Sequence, residues 1–467
     1  MTPVETLRGQ NVAVFGLGGS GLSTVRALLQ GGASVAAWDD SPEARGRAAA
    51  TGFPLVDLGE ADWRGFRLLV LSPGVPLTHP TPHWTVCLAD EAGVPIVGDI
   101  ELFARERCAR APEAPFVAVT GTNGKSTTTA LIAHLLTNVG REVALGGNIG
   151  MPVLDLPPPA DGRTHVIECS SYQIDLAPSL VPSIGLLLNI APDHLDRHGD
   201  LVRYSAIKER LVAQSEVALI GADDAPCREI CARLKTRAGT PRVIAISGEE
   251  SPLADIFVRD RRVSARDESA PAVDLTRAPA LRGAHNARNA AFAYAAARTL
   301  GAKPEQIARA FQSFPGLAHR MEEVGRLGRV LFINDSKATN ADAAEKALLA
   351  FRDIHWIVGG KPKAGGVESL RPLFPRLAKA YLIGAASDEF ARTLAGAVPF
   401  ERCENLCSAT EAAAEDAARS RADEPVVLLS PACASFDQFA NFEARGDTFR
   451  AAVRRLIGRI ETGQSQG

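Results

Sequence analysis

Gly124-Lys125-Ser126, inside FVAVTGTNGKSTTTALIAHLL (residues 116–136), has the residue types of a phosphate-binding loop. Backbone amides of Gly121, Thr122, Asn123, Gly124 and Lys125 can cradle phosphates. The Lys125 ammonium neutralises the outer ones, and Ser126, followed by Thr127, offers Mg²⁺ a hydroxyl. The common G-x-x-x-x-G-K-[ST] form asks for glycine where this chain has Val119, and the competing reading is a Thr/Asn/Gly turn with a surface lysine. A second set, Gly16, Gly18 and Gly21 in VFGLGGSGLS, has G-x-G-x-x-G spacing with Asp39 ending the next apolar run. Glycines there admit close backbone approach and a helix N-terminus attracts an anion, which indicates a diphosphate site and leaves NAD and other nucleoside diphosphates open. Two such loops about 100 residues apart weaken a plain dehydrogenase and fit an enzyme that carries one nucleotide-linked substrate and consumes another nucleotide.

Further polar groups fall just after apolar runs, where doubly wound sheets place ligand groups. Glu168 ends HVIE, and NIAPDHLDRHGD supplies Asn189, Asp193, His194, Asp196 and His198. A carboxylate and an imidazole beside a Lys-Ser loop can hold a second hard cation, although Mg²⁺ favours oxygen ligands. Later, NDSKATN (334–340), the pair Gly359-Gly360 with Lys361 and Lys363, and LLSPACASFDQF (428–439) bring hydroxyls and cations to run ends. One alone reads as a helix cap; several together indicate anion recognition.

The elements that must position these groups form a regular series. NVAVF (11–15), SVAAW (34–38), RLLVL (67–71) and VPIV (94–97) read as buried strands, as do FVAV (116–119), HVIE (165–168) and IGLLLN (184–189). A third series is VLFIN (330–334), IHWIV (354–358), AYLI (380–383) and VVLL (426–429). Helical patterns between them require right-handed crossovers and parallel sheets. The fold class is therefore α/β in three domains, expected over 1–108, 109–316 and 317–467, with joints at CARAPEAP (108–115) and around SFPGLAHR (313–320). The charged stretch VRDRRVSARDE (258–268) interleaves acids with arginines and reads as a solvated hairpin or edge.

A net charge of −3 over 467 residues gives no electrostatic case for nucleic acid or an anionic membrane. Eight scattered cysteines without a C-x-x-C pair indicate reduced thiols, and Cys227 with Cys231 suggests one packed helix face. The start lacks a signal-peptide core and no apolar run reaches the ~20 residues of a membrane span, so a cytoplasmic protein is expected.

TGTNGKST resembles the shorter ATP loop of the Mur ligases, the amide-forming enzymes of peptidoglycan synthesis, in which Val119 belongs to the preceding strand. ECSSYQ (168–173), NIAPDHLDRHG (189–199), YSAIK (204–208), GAHNARNA (283–290) and PGLAHR (315–320) follow in the family's order, from about residue 10 to 455. Tyr172 stands where the family pattern has Phe. NDSKATN and LLSPACASFDQF resemble the motifs of the branch that joins D-glutamate to UDP-N-acetylmuramoyl-L-alanine, which is the activity the resemblance implies. The motifs of the diaminopimelate-, lysine- and L-alanine-adding branches are absent.

The resemblance implies a Rossmann-like N-terminal domain, a central P-loop-type ATPase domain and a Rossmann-like C-terminal domain. It implies ATP, two Mg²⁺ sites and an acyl-phosphate intermediate in a cytoplasmic monomer. By match to the family, Lys125 holds the outer phosphates, Ser126 and Glu168 the first Mg²⁺, and His194 the second, with Lys208 carbamylated by CO₂ as its further ligand. Lys125, His194 and Lys208 form the catalytic set. Asn286, Asn289, Arg320 and Asp335 complete the ATP side. Gly19, Ser20, Asp39, Asp40, Ser72, Pro73 and Gly74 lie near UDP, and Asn148 near the sugar or lactyl group. Lys337, Thr339, Lys363 (with Lys361 its alternative), Ser435 and Phe442 receive D-glutamate. An NAD-dependent dehydrogenase and a non-catalytic nucleotide switch are the competing readings.

Overall fold

The computed structural model describes residues 1–237, 239, 241–267, 273–363 and 365–464. The chain forms two compact units, Met1–Arg277 with Ala287–Gln312, and Ala278–Asn286 with residues 313–467.

In the first unit, β1 (Asn11–Phe15), β2 (Ser34–Trp38), β3 (Leu68–Leu71) and β4 (Ile96–Val97) form a parallel sheet in the order β2-β1-β3-β4. The strand order reverses at β1, so the loops after β1 and β3 emerge side by side and open a crevice for a ligand. A nine-stranded sheet follows. It contains β5 (Phe116–Thr120), β6 (Glu142–Gly147), β7 (Arg163–Glu168), β8 (Ile184–Leu187) and β9 (Val217–Gly221). It continues with β10 (Arg242–Ser247), β11 (Ile256–Arg259), β12 (Arg262–Ala265) and β13 (Val273–Asp274). Every residue of β5 is buried, as a strand between two parallel neighbours requires. Its neighbours β7 and β8 set Glu168 and Asn189 on either side of the Gly121 turn.

Within the charged 258–268 stretch, of which Glu268 lies outside the described residues, a hairpin forms as expected, β11 and β12 pairing antiparallel around Asp260 and Arg261 at φ 48° and 57°. Strands β6, β9, β10 and the two-residue β13 are additions to those read from sequence; EVALGG ends in two glycines, which masks its strand character. Val12 and Val14 of the first sheet share one hydrophobic cluster with Phe116 and Ala118 of the central sheet. That common core is why two sheets make one compact unit.

The second unit holds a six-stranded sheet, β14 (Glu322–Leu327), β15 (Val330–Asn334), β16 (Ile354–Gly359), β17 (Leu377–Ile383), β18 (Phe400–Arg402) and β19 (Val426–Leu429), in the order β14-β15-β19-β16-β17-β18. Only β14 runs antiparallel. It is half-exposed at the sheet edge, so its pattern does not stand out in sequence. Adjacent β15, β19 and β16 bring the three loops NDSK, SPAC and GGK together at their carboxyl ends.

Cys227 and Cys231 pack into the core from the helix Ala225–Thr236. Among the described residues no helix is long and apolar enough to cross a membrane.

Candidate active site

At the first sheet, Gly16 has φ 94°, and a side chain there would come within 2.6 Å of Ser72 Cβ. Ser72 Oγ donates to the Gly16 carbonyl (2.7 Å). Asp39 holds the same turn, Oδ2 accepting from Leu17 N–H (2.6 Å) and Oδ1 from Ser41 N–H (2.8 Å). These two predicted UDP-side residues thus shape the loop directly. Gly18 and Gly19 have nothing within 4 Å of where a Cβ would stand, and Gly19 and Ser20 begin the helix Gly19–Gly31. That open, amide-bearing N-terminus is where an anion would lie. Asp40 faces His83 Nε2 (3.0 Å) and Trp84 Nε1 (3.2 Å) at the crevice rim, and Pro73 and Gly74 continue the loop after Ser72.

The central loop is held by Asn189. Its Oδ1 accepts from Asn123 N–H (2.8 Å), its Nδ2 donates to Asn123 O (2.9 Å), and its carbonyl accepts from Thr122 N–H (2.9 Å). Gly121 (φ 151°) and Gly124 (φ 86°) provide the turns; a Cβ on Gly124 would stand 2.5 Å from Asn289 Oδ1. Asn289 therefore packs directly on the loop. Lys125 begins the helix Lys125–Asn138 and its Nζ donates to the carbonyls of Gly121 and Thr122, both at 2.9 Å. Ser126 and Thr127 follow in that first turn, where the dipole favours anions.

Lys208 comes from the helix Leu201–Ala213, whose buried face is Tyr204, Ile207, Lys208 and Leu211. The spacing puts the lysine on the core side, at 1% exposure. Its Nζ donates to Gly121 O (3.0 Å) and Thr120 Oγ1 (3.2 Å) and lies 4.8 Å from the Tyr204 ring centroid. Burial, and next the Lys125 charge, push its pKa down to about 7. The neutral amine is therefore well populated at physiological pH.

Glu168 is 2% exposed. Its Oε1 accepts from Asn148 Nδ2 (2.7 Å), while Oε2 is buried with no hydrogen-bond partner among the described residues. A buried carboxylate oxygen left unmatched is costly unless something cationic completes it. A carboxylate oxygen and a hydroxyl, the donor types of Glu168 and Ser126, are what Mg²⁺ takes alongside substrate phosphates. The residues therefore fit the ion, and clusters of three or more His, Cys, Asp or Glu, of which the described residues contain none, are not what such a site needs.

His194 sits at φ 53° ahead of the short helix Leu195–His198, half-exposed beside Asp193 (3.4 Å). Its ring lies 5.0 Å from that of Tyr172, which keeps the aromatic contact a Phe would make. His198 is buried against Tyr172 and Tyr204 with Nε2 2.9 Å from Ser171 Oγ, and burial, then the neighbouring His194, lowers its pKa to about 4.

In the second unit, Asp335 is buried; its oxygens accept from Met321 N–H (3.2 Å) and Ser430 Oγ (2.8 Å), and burial pushes its pKa up to about 7. Arg320 acts on it electrostatically. Lys337 Nζ stands 3.8 Å from the Phe442 ring centroid, and Ser435 is buried while Thr339 is half-buried. The Lys361 backbone pairs with Ala434 (2.9 and 3.2 Å), next to Ser435; Lys361 and Lys363 are both exposed. Asn286 belongs to this unit and Asn289 to the first, although one helix, Ala284–Thr299, carries both.

Sequence reading missed Arg445. It is 1% exposed, donates from Nε to Ser336 Oγ (3.0 Å) and from NH2 to Ser336 O (2.8 Å), and from NH1 to Cys433 O (3.1 Å). It ties the NDSK and SPAC loops together, yet in FEARGD it reads as a surface helix residue. Tyr204 was detectable: it lies four residues before Lys208, on the same helix face.

Three family models match in order: the Mur ligase MurD-like N-terminal domain over 10–98, the Mur ligase middle domain over 119–297, and the Mur ligase glutamate ligase domain over 319–433. The chain is 57% identical over 461 residues to the UDP-N-acetylmuramoylalanine–D-glutamate ligase of Brucella abortus, covering 98% of each chain. It is 56% identical over 461 residues to the protein of that name in Mesorhizobium japonicum, again covering 98% of each. Among solved structures, the UDP-N-acetylmuramate–alanine ligase of Thermotoga maritima aligns with TM-score 0.59 at 18% identity, over 98% of this chain and 100% of that one. This last likeness concerns the fold.

Proposed function

The chain belongs to the Mur ligase family and is an ATP-dependent ligase of peptidoglycan precursor synthesis, and from that premise we propose that it joins D-glutamate to UDP-N-acetylmuramoyl-L-alanine. The observation that carries the choice of amino acid is the pair of loops NDSKATN and SPACASFDQF, pinned to each other by Arg445 with Lys337 over Phe442. Two carboxylates on one small substrate ask for such cations and hydroxyls, here Lys337, Thr339, Lys363 or Lys361, and Ser435. The names of the Brucella and Mesorhizobium relatives point the same way. The dehydrogenase and nucleotide-switch readings find no support in any of the three family matches.

The chemical need is to make a carboxylate electrophilic and to bring anions together. The γ-phosphoryl of ATP passes to the terminal carboxylate, the D-glutamate amine attacks the acyl phosphate, and phosphate leaves as the amide forms. In our reading the amides of residues 121–125 and the Lys125 ammonium hold the phosphates, while Asn286, Asn289, Arg320 and Asp335 serve the nucleotide. Mg²⁺ supplies charge neutralisation at the phosphates; Ser126 and Glu168 would hold one ion, and His194 with Lys208 the other. Lys208 would do so as a carbamate: the ammonium first loses a proton, the neutral amine then adds to CO₂, an N–C bond forms as a C–O π bond opens, and a second proton is released, leaving an anion. Burial of Lys208 with a lowered pKa supports that step. The loops after β1 and β3, with Gly19, Ser20, Asp39, Asp40, Ser72, Pro73 and Gly74, would take the uridine diphosphate, and Asn148 would lie near the sugar or lactyl group. Domains at 1–108, 109–316 and 317–467, a monomeric state and a cytoplasmic location complete the proposal.

The test is phosphate release with ATP, Mg²⁺ and UDP-N-acetylmuramoyl-L-alanine while the amino acid is varied. D-Glutamate should stimulate it and L-glutamate should not. Equal stimulation by both, or by neither, overturns the reading.

A further inference from the structure

Arg197 lies in the short helix Leu195–His198 that follows His194, and it reaches the loop after β3. Its NH1 donates to Gly74 O and its NH2 to Val75 O, each at 2.9 Å. The guanidinium carbon stands 4.7 Å from the Tyr172 ring centroid, and Tyr172 in turn touches His194 and His198. Among the described residues Arg197 makes no ion pair with a carboxylate, so its polar contacts are with the two backbone carbonyls. The same two loops meet again where Gly199, at φ 86°, lies against His79: a Cβ there would stand 3.0 Å from His79 Nε2. A planar fork gripping two successive carbonyls fixes both distance and angle, which a single ammonium does not.

We propose that Arg197 is a positioning residue that clasps the uridine-diphosphate loop Ser72–Val75 to the His194 loop, so that filling the UDP site strengthens binding at the ATP and metal side. This rests on the functional reading above. Linkage requires the effect to be reciprocal: whatever factor the UDP substrate adds to nucleotide affinity, the nucleotide adds to UDP-substrate affinity.

The test measures the dissociation constant of a non-hydrolysable ATP analogue with Mg²⁺, with and without saturating UDP-N-acetylmuramoyl-L-alanine, in the full chain. In the natural protein the UDP substrate should tighten the analogue by about fivefold or more. Arg197→Ala should reduce that factor towards one while each ligand alone binds within about twofold of the natural protein, and its circular dichroism and thermal midpoint report that the fold is kept. Arg197→Lys, with its charge but without the fork, should stay near the alanine value. A factor of one in the natural protein, an unchanged factor in Arg197→Ala, or full recovery in Arg197→Lys would each overturn the clasp. The functional reading fails by a separate result: natural protein that binds no UDP-N-acetylmuramoyl-L-alanine, or that turns it over without preference for D-glutamate.

Discussion

Replacing Asn148 by alanine removes the donor that Glu168 Oε1 accepts from at 2.7 Å and leaves both oxygens of a nearly fully buried carboxylate without a hydrogen-bond partner among the described residues. A hydrogen bond to a charged group contributes roughly 1.5–3 kcal/mol. Losing a partner that orients a metal-holding side chain typically weakens the metal by about tenfold to a hundredfold. We therefore expect the Mg²⁺ concentration giving half-maximal phosphate release to rise by about that factor in Asn148→Ala, at saturating ATP and both other substrates. The KM for D-glutamate should stay within about twofold, because Lys337, Ser435 and Phe442 are untouched. Initial rates over a Mg²⁺ titration, with thermal midpoints recorded alongside, measure this. An unchanged Mg²⁺ requirement with a raised KM for the UDP substrate alone would refute it, and would place the Asn148 amide on the substrate instead of on Glu168.

Lys208→Ala should abolish nearly all turnover while the far-ultraviolet spectrum stays native; appreciable activity without a lysine there would remove it from the catalytic set. Arg445→Met should lower stability by roughly 2–4 kcal/mol, since the Ser336 and Cys433 carbonyls lose buried charge-assisted bonds. Its D-glutamate KM should rise with little change in ATP-analogue binding, read by denaturant titration and steady-state kinetics. For His198, the folded pKa of about 4 lies below the unfolded value near 6.5. The unfolded chain therefore takes up a proton first as the medium is acidified, and stability falls as pH drops from about 6.5 towards 4. His198→Gln should flatten that part of the stability-against-pH curve, and an unaltered slope would assign it to other groups.

The strand series was legible because buried parallel strands are short apolar runs, and FVAV, VLFIN and VVLL are unbroken ones. EEVGRL, EVALGG, VALIG and RVIAIS were not, because half-exposure or a closing glycine weakens the apolar signal. Lys125 and Ser126 stood out because a phosphate loop is local: its amides, lysine and hydroxyl come from one turn. Asn189 and Glu168 could be noted as strand-end groups, but not which strands flank the loop.

Sequence by itself determined the order of the α/β elements, the two glycine loops and the family to which the motifs belong, since each is written in contiguous residues. Only the tertiary structure decided that Lys208 is buried against Gly121, that Asn148 bonds Glu168, that Arg445 joins two loops and that Arg197 grips Gly74 and Val75. Those contacts link residues far apart in the chain. They depend on which strand lies beside which and on which face of a helix turns inward, and no local pattern of residues encodes either.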